Sequence, residues 1–379
     1  MKVAVAMSGG VDSSTAAYLL KSAGHEVIGL SMQMYDNLTN AATTYGGCCT
    51  IDDLADARRV AWKLDIPHFT LNMESRFHEK VVMPFVSGYL NGTTPSPCVL
   101  CNTHVKFDLF HAKASSFGAD KIATGHYARI TTRPDGTFEL RKARDLGKDQ
   151  SYFLFELTQE QLRDALFPLG EMTKPEVRGV AARAGLSVAE KSESYEICFV
   201  PSAEGYAGVV RREAATIART RPELNDPLMR AAAADDAGGE IVDEDGTVVG
   251  QHDGYYHFTV GQRRGLQLGG SPDRSYVIDI NPLSRRVTVG PVERLHRSEL
   301  VAERVHWISG EAPVASIEVS ARVRSRQTEV AATVEPLPSG RARVTFRAPM
   351  KAIAPGQAVV FYDADLCLGG GWIVRSAEE

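Results

Sequence analysis

An unbroken apolar run, Val3-Ala4-Val5-Ala6-Met7, stops at Ser8-Gly9-Gly10 and gives way to Val11-Asp12-Ser13-Ser14, which opens a helical pattern. A strand with no polar alternation is covered on both faces, so this run predicts the central strand of a parallel sheet flanked by helices. Gly9 and Gly10 let the backbone turn sharply and approach a ligand closely. Asp12, Ser13 and Ser14 fall in the first helical turn, where unbonded N–H groups and the helix dipole favour an anion. No Gly-Lys-Ser/Thr follows the glycines, so a Walker phosphate loop is a poor match. A plain capped turn would also use Gly, Ser and Asp, but seven ordered residues in strand-loop-helix context point to a nucleotide phosphate.

The following segments alternate. A helix from Ser14 ends at Gly24, a strand runs from Glu26 to Met32, and an amphipathic helix starts at Asp52. A further strand covers Ile66 to Leu71, and a helix covers Phe77 to Leu90. This βαβ order predicts a doubly wound α/β domain in which Met32 ends its strand on the ligand side. Two prolines and a glycine break the pattern between Asn91 and Phe107, which places Cys98 and Cys101 on a loop before a helix reaching Leu109. Gly125-His126 closes the strand that begins at Ile122, and Arg133-Pro-Asp-Gly136 is a hairpin turn. Cys198 lies in the apolar run Ile-Cys-Phe-Val, which by itself reads as a core strand. Residues 203–236 are rich in Ala and Arg and helical in character. From Glu240 onward the hydrophobic period becomes two, with Asp-Gly and Pro-Ser-Gly turns, as in an all-β barrel. The expected divisions are 1–205, 206–270 and 271–379.

A chain of 379 residues exceeds one ordinary core. No apolar run approaches membrane-spanning length, and Met1-Lys2 leads straight into the first strand, so the expectation is a cytoplasmic protein with no membrane partner. A net charge of −5 argues against indiscriminate nucleic-acid binding but leaves room for a local basic face. Arg322, Arg324 and Arg326, alternating in one expected strand, and Gln262-Arg263-Arg264 are the candidates. Six cysteines in such a chain are expected to be reduced, catalytic or metal-binding.

Ser-Gly-Gly-Val-Asp-Ser-Ser resembles the PP-loop of the ATP pyrophosphatase superfamily. Together with Pro-Ser-Pro-Cys-Val-Leu-Cys-Asn, Ala-Thr-Gly-His-Tyr-Ala-Arg, Lys-Asp-Gln-Ser-Tyr, Glu196-Ile-Cys-Phe, Thr259-Val-Gly-Gln-Arg-Arg and Gly369-Gly-Gly-Trp, in that order, it resembles the tRNA-specific 2-thiouridylase (MnmA/TrmU) family across the whole chain. The resemblance implies an enzyme that adenylates C2 of the wobble uridine (position 34) of tRNA with ATP and Mg²⁺ and replaces its oxygen with sulfur. It implies that Met7, Ser8, Gly9, Gly10, Val11, Asp12, Ser13, Ser14, Met32 and Gly125 bind the nucleotide. Cys198 would accept a persulfide from an upstream donor protein and Cys101 would be its catalytic partner, the two ending as a disulfide. Ser96, Pro97 and Cys98 would line the pocket for the flipped base, and Lys148, Asp149, Gln150, Arg324 and Ser325 would touch the tRNA. Cys98 stands where some members carry an aspartate. An alternative on the same residues is an iron-sulfur cluster held by Cys98, Cys101 and Cys198. A PP-loop amide or amidine synthase, or a non-catalytic RNA-binding protein, are the readings from other classes. Cys48, Cys49 and Cys367 are given no catalytic role, Cys367 being a β-domain core residue.

Overall fold

The computed structural model describes residues 1–35, 50–193, 197–224, 226–266, 268 and 275–375; Cys48, Cys49 and Glu196 lie outside these. In the first half, β1 (Lys2–Ala6), β2 (Glu26–Gln33), β3 (His68–Asn72) and β4 (Lys121–Ala123) are followed by the hairpin β5 (Ala128–Thr132) and β6 (Phe138–Lys142), then β7 (Ala165–Leu166). The parallel sheet has the order β3-β2-β1-β4-β7. Its central strand is covered on both sides, as the unbroken apolar run requires. Ala4, Ala6, Ile28 and Leu30 face one apolar cluster, while Val3, Val5, Met7 and Val27 face another that includes Ala57 and Val60 of α2 (Ile51–Lys63). Strand order reverses between β1 and β4, which opens a crevice at their carboxyl ends beside α1 (Val11–Ser22).

Four short strands, β8 (Gly239–Val242), β9 (Val248–His252), β10 (Tyr276–Asn281) and β11 (Arg286–Gly290), form a second sheet in the order β10-β11-β8-β9. It carries strands from both sides of position 270, so the division expected there falls inside one sheet. The third unit contains β12 (His296–Trp307), β13 (Ile317–Arg322), β14 (Val330–Leu337), β15 (Arg341–Lys351), β16 (Ala358–Asp363) and β17 (Leu366–Ile373). Pairing of β12 with β17 closes these six into an antiparallel barrel. Ala342, Val344 and Phe346 alternate inward along β15 onto Leu300, Val319 and Val334. Cys367 is 1% exposed within β17, as expected of a core residue.

One pairing crosses the halves of the chain. β6 binds β17 through Leu140↔Cys367 and Arg141↔Leu366, so the β5-β6 hairpin extends the barrel sheet. Among the described residues no helix is long and apolar enough to cross a membrane.

Candidate active site

The loop after β1 is shaped by what surrounds its glycines. Gly9 has φ +73°, and a Cβ there would lie 2.0 Å from the carbonyl oxygen of Asp53, so the loop rests directly on the first turn of α2. That turn is fixed by a capping box in which Thr50 and Asp53 bond reciprocally. Gly10 is the N-cap of α1 and contributes no side-chain cap. The Ser13 hydroxyl receives the Ser8 backbone N–H at 3.1 Å and donates to the Gly10 carbonyl at 3.3 Å. Across the crevice, a Cβ on Gly125 would lie 2.7 Å from the Ser13 nitrogen and 2.8 Å from the Asp12 carbonyl carbon. The glycines after β1 and β4 therefore keep open a cradle of main-chain groups. The Ser14 hydroxyl is fully buried and has no hydrogen-bond partner among the described residues, which leaves it able to bond a ligand in the cradle. Met7 and Met32, 1% and 8% exposed, are buried at the ends of β1 and β2. These features fit a nucleotide phosphate group.

Charges that no local motif announces surround the cradle. The Lys174 ammonium, 7% exposed, donates to both carboxylate oxygens of Asp12 at 2.7 and 2.8 Å and lies 2.9 Å from Glu193. Lys148 takes the other Glu193 oxygen at 2.6 Å. The Tyr127 hydroxyl donates to Asp12 at 2.9 Å; burial and the neighbouring carboxylate push its pKa up, so it stays a proton donor. On the other side of the loop, Lys191 donates to the Gly9 carbonyl at 3.1 Å, to Asp53 at 2.6 Å and to Asp56 at 2.5 Å. Sequence reasoning missed Lys174, Glu193 and Lys191. One signal was available: Lys174 opens the helix Lys174–Arg183, where a cation meets the positive end of the dipole and needs carboxylates from elsewhere.

The two candidate cysteines lie on contrasting supports. Cys98 and Cys101 are not on a loop, because Pro97 is tolerated at the first helical position and starts the helix Pro97–Cys101. The helix continues with π geometry over Asn102–Leu109 and as an α-helix over Phe110–Ser116. Cys98 is exposed, whereas Cys101 is 7% exposed. Asn102 donates to the Phe153 carbonyl at 2.9 Å, and Glu156 receives both Thr103 and the Trp372 indole of the barrel, each at 2.7 Å. Gln357 donates to the carbonyls of Thr94 and Pro95 at 2.9 and 3.2 Å. The far end of the helix returns to the crevice, where the Phe107 ring lies 5.9 Å from that of His126. Burial, with the nearby Lys106 charge, holds the His126 imidazole neutral, and its Nδ1 meets the Thr124 hydroxyl at 2.7 Å.

Cys198 is in a turn, not a strand. Its apolar run is cut short by Pro201 and closes through the bond from the Val200 N–H to the Ile197 carbonyl. Phe199, 4% exposed, meets Phe77 and Phe85 edge-on at 5.7 and 4.9 Å. Cys101 belongs to the apolar cluster that includes Phe199, and Cys198 packs against that same cluster. Among the described residues no three His, Cys, Asp or Glu side chains stand close enough to hold a metal, so Cys98, Cys101 and Cys198 do not form an iron ligand set in this arrangement.

Residues 1–202 match the family model described as the tRNA methyl transferase HUP domain, 231–291 the PRC-barrel domain of that family, and 297–373 the aminomethyltransferase beta-barrel domain. A relative from Geobacter metallireducens, named tRNA-specific 2-thiouridylase MnmA, is 49% identical over 381 residues, covering 100% of this chain and 98% of its own. Relatives of the same name from Geotalea uraniireducens (48%, covering 98% of this chain and 94% of its own) and Rhodospirillum centenum (45%, covering 99% and 92%) agree. The chain belongs to the tRNA-specific 2-thiouridylase family.

The remaining positions expected to meet tRNA in a 2-thiouridylase are placed unevenly. Ser96 and Pro97 are buried at the start of the cysteine helix, with Cys98 at the surface. The Asp149 side chain is 1% exposed and receives the N–H groups of Ala143 and Ser151 and the Ser151 hydroxyl. Gln150 bonds Tyr127 through both main chain and side chain at 2.8 and 2.9 Å. These two groups shape the crevice wall from within. The three arginines do not share one strand face, because β13 ends at Arg322 and the chain turns. Arg322 lies under the Tyr362 ring and pairs with Glu329, and Arg324 donates to the carbonyls of Val260 and Ala352. The Ser325 carbonyl receives Arg322, while Arg326, Arg263 and Arg264 are exposed.

Proposed function

We propose that this chain converts the wobble uridine (position 34) of tRNA to 2-thiouridine in the cytoplasm, using ATP and a protein-bound persulfide. A uracil C2 oxygen is a poor leaving group, so it must first be activated. Its attack on the α-phosphorus of ATP expels pyrophosphate and leaves an adenylate. Main-chain N–H groups from Gly9 to Ser13 would receive the departing phosphates, with the Ser14 hydroxyl beneath them, Val11 closing the loop and Met7, Met32 and Gly125 beside the adenosine. Lys174 and Lys191 would take the part of the lysine absent from this loop by exchanging a carboxylate partner for a phosphate oxygen. A Mg²⁺ ion bound with the nucleotide would neutralise phosphate charge and needs few protein ligands besides phosphate oxygens; Asp12 would hold it by giving up its bonds to Lys174.

Sulfur arrives on Cys198, whose half-buried turn leaves it accessible to an upstream donor. The Cys101 thiolate attacks the Cys198 sulfur of the persulfide, forming the Cys101–Cys198 disulfide and releasing HS⁻. HS⁻ attacks C2 and AMP departs with the original oxygen. The persulfide sulfur gains the two electrons that the two thiols lose. Ser96, Pro97 and Cys98 border the base, with Lys148, Arg324 and Ser325 as further tRNA contacts.

The observation that supports this reading is that the Cys101 helix reaches the glycine cradle through Phe107 and His126, while Cys198 packs against the same apolar cluster that holds Cys101. Nucleoside mass analysis of tRNA after incubation with ATP and a persulfide donor tests it. Cys101→Ala and Cys198→Ala should each reduce 2-thiouridine at least about a hundredfold, the scale of losing a nucleophile. Full product from either variant overturns it.

A further inference from the structure

The mechanism above leaves Cys98 without a chemical task and leaves an oxidised pair, half of it buried, to be reopened. Cys98 and Cys101 are both within the helix Pro97–Cys101, three residues apart. Helical rise and radius put their Cα atoms about 5 Å apart on adjacent positions of one face. That separation lies inside the range a disulfide spans. Their surroundings differ: Cys101 is 7% exposed and belongs to the apolar cluster, whereas Cys98 is exposed at the start of the helix.

We propose that Cys98 is the resolving cysteine of this enzyme. After sulfur transfer, the Cys98 thiolate attacks the Cys101 sulfur of the Cys101–Cys198 disulfide. The Cys98–Cys101 bond forms, the Cys101–Cys198 bond breaks, and Cys198 leaves as a thiolate that picks up a proton. No electrons enter or leave at this step. Oxidation has moved from a pair joining two segments to a pair within one helical turn, with one sulfur at the surface. An external thiol reductant, monothiol or dithiol, then attacks the Cys98 sulfur; two reductant thiols become a disulfide, and Cys98 and Cys101 return as thiols. Two physical advantages follow. Attack between neighbours on one turn is intramolecular and does not need a reductant to reach the buried Cys101. Cys198 also recovers its thiol before external reduction, so it can accept the next persulfide while Cys98 and Cys101 await the reductant.

The proposal rests on the disulfide-forming transfer described under Proposed function, and the test separates the two. Full-length enzyme is loaded with polysulfide, mixed with ATP and substrate tRNA, quenched with N-ethylmaleimide after one turnover, and digested with trypsin. Cys98 and Cys101 share the peptide 81–106, and Cys198 is in the peptide 192–211. In the wild type, peptide 81–106 should carry an internal disulfide and Cys198 should be alkylated. In Cys98→Ser and Cys98→Ala, the two peptides should instead be cross-linked through Cys101 and Cys198. With reductant present, the ratio of later-turnover to first-turnover product should fall about tenfold in both variants, whose melting temperatures report that they fold. A wild-type enzyme that rests as Cys101–Cys198 with Cys98 alkylated, or variants with an unchanged turnover ratio, overturns the resolving role and leaves the transfer mechanism standing. Product formed by the variants with no cross-link at all overturns the transfer mechanism and this proposal with it.

Discussion

Cys101 sits in a helix gripped by neutral hydrogen bonds from Asn102 to the Phe153 carbonyl and from Gln357 to the carbonyls of Thr94 and Pro95, whereas Cys198 sits in a turn moored by the Phe199 ring and preceded in the chain by Lys191 and Glu193, which enter lysine-carboxylate pairs. Bonds of the first kind change little with salt or pH. Ion pairs of the second kind depend on the protonation of both partners and on what else enters the charge network. A fixed sulfur and a tethered one suit different tasks: the first holds a reaction centre, and the second must meet a donor before it meets the substrate.

The most severe way to break this contrast is at the loop both segments share. Gly9→Val forces a side chain into the Asp53 carbonyl and a left-handed φ on a branched residue, which displaces the start of α2. Pyrophosphate release in the presence of tRNA should fall about a thousandfold, since the site is assembled only when the cradle is intact. Retention of a tenth of the activity would show the cradle to be tolerant. Next, Phe199→Ala removes the aromatic mooring of the Cys198 turn and should cost about 3–4 kcal/mol in denaturant unfolding. A loss below about 1 kcal/mol would mean that the ring is not an anchor.

Lys191→Met should lower thiolation about tenfold, roughly 1.4 kcal/mol, while leaving the Cys101 segment in place. Its pH dependence follows from the two partners. Burial raises the Asp56 pKa, but hydrogen bonds from Lys191 and Arg59 outweigh it and hold the carboxyl below its ordinary value. Burial likewise lowers the Lys191 pKa, and Asp53 and Asp56 reverse this to a net rise. The contribution of Asp56 is therefore present above about pH 4 and is lost as pH falls through its depressed native value. That of Lys191 is full below about pH 10 and is lost as pH rises through its elevated one. The difference in melting temperature between wild type and Lys191→Met should be flat from about pH 5 to 9 and shrink outside that window. A steady slope across neutrality would refute the assignment. The smallest effect is expected on the Cys101 side: Gln357→Ala removes two hydrogen bonds to carbonyls and should cost about 1–2 kcal/mol, equally at low and high salt.

What could be read in the sequence was what is decided locally. The apolar run of β1, the two glycines and the helix that follows form one contiguous unit, and each residue's role is set by its immediate neighbours. The period-two strands of the barrel were visible for the same reason, though not the pairing of β12 with β17 that closes it. Lys174 and Lys191 were not visible, because their significance comes from meeting Asp12, Asp53 and Gly9 across more than a hundred residues, nor was Glu193, whose partners Lys148 and Lys174 lie in other segments. Cys198 was misjudged because an apolar tetrapeptide looks the same whether it enters a sheet or, as here, sends one ring into the core and turns away. Two prolines around Ser96 suggested a loop at Cys98, but the second occupies the one helical position that welcomes it.

The β5-β6 hairpin, made early in the chain, finds its partner strand only in Leu366–Ile373. During synthesis on a ribosome its outer edge must stay bare until Leu366–Ile373 have emerged, so the nucleotide half cannot reach its finished shape before that strand is made. An abbreviated chain ending before β17 would keep an exposed edge where the native protein has a seam, which makes premature termination a source of sticky fragments and not of a smaller working enzyme.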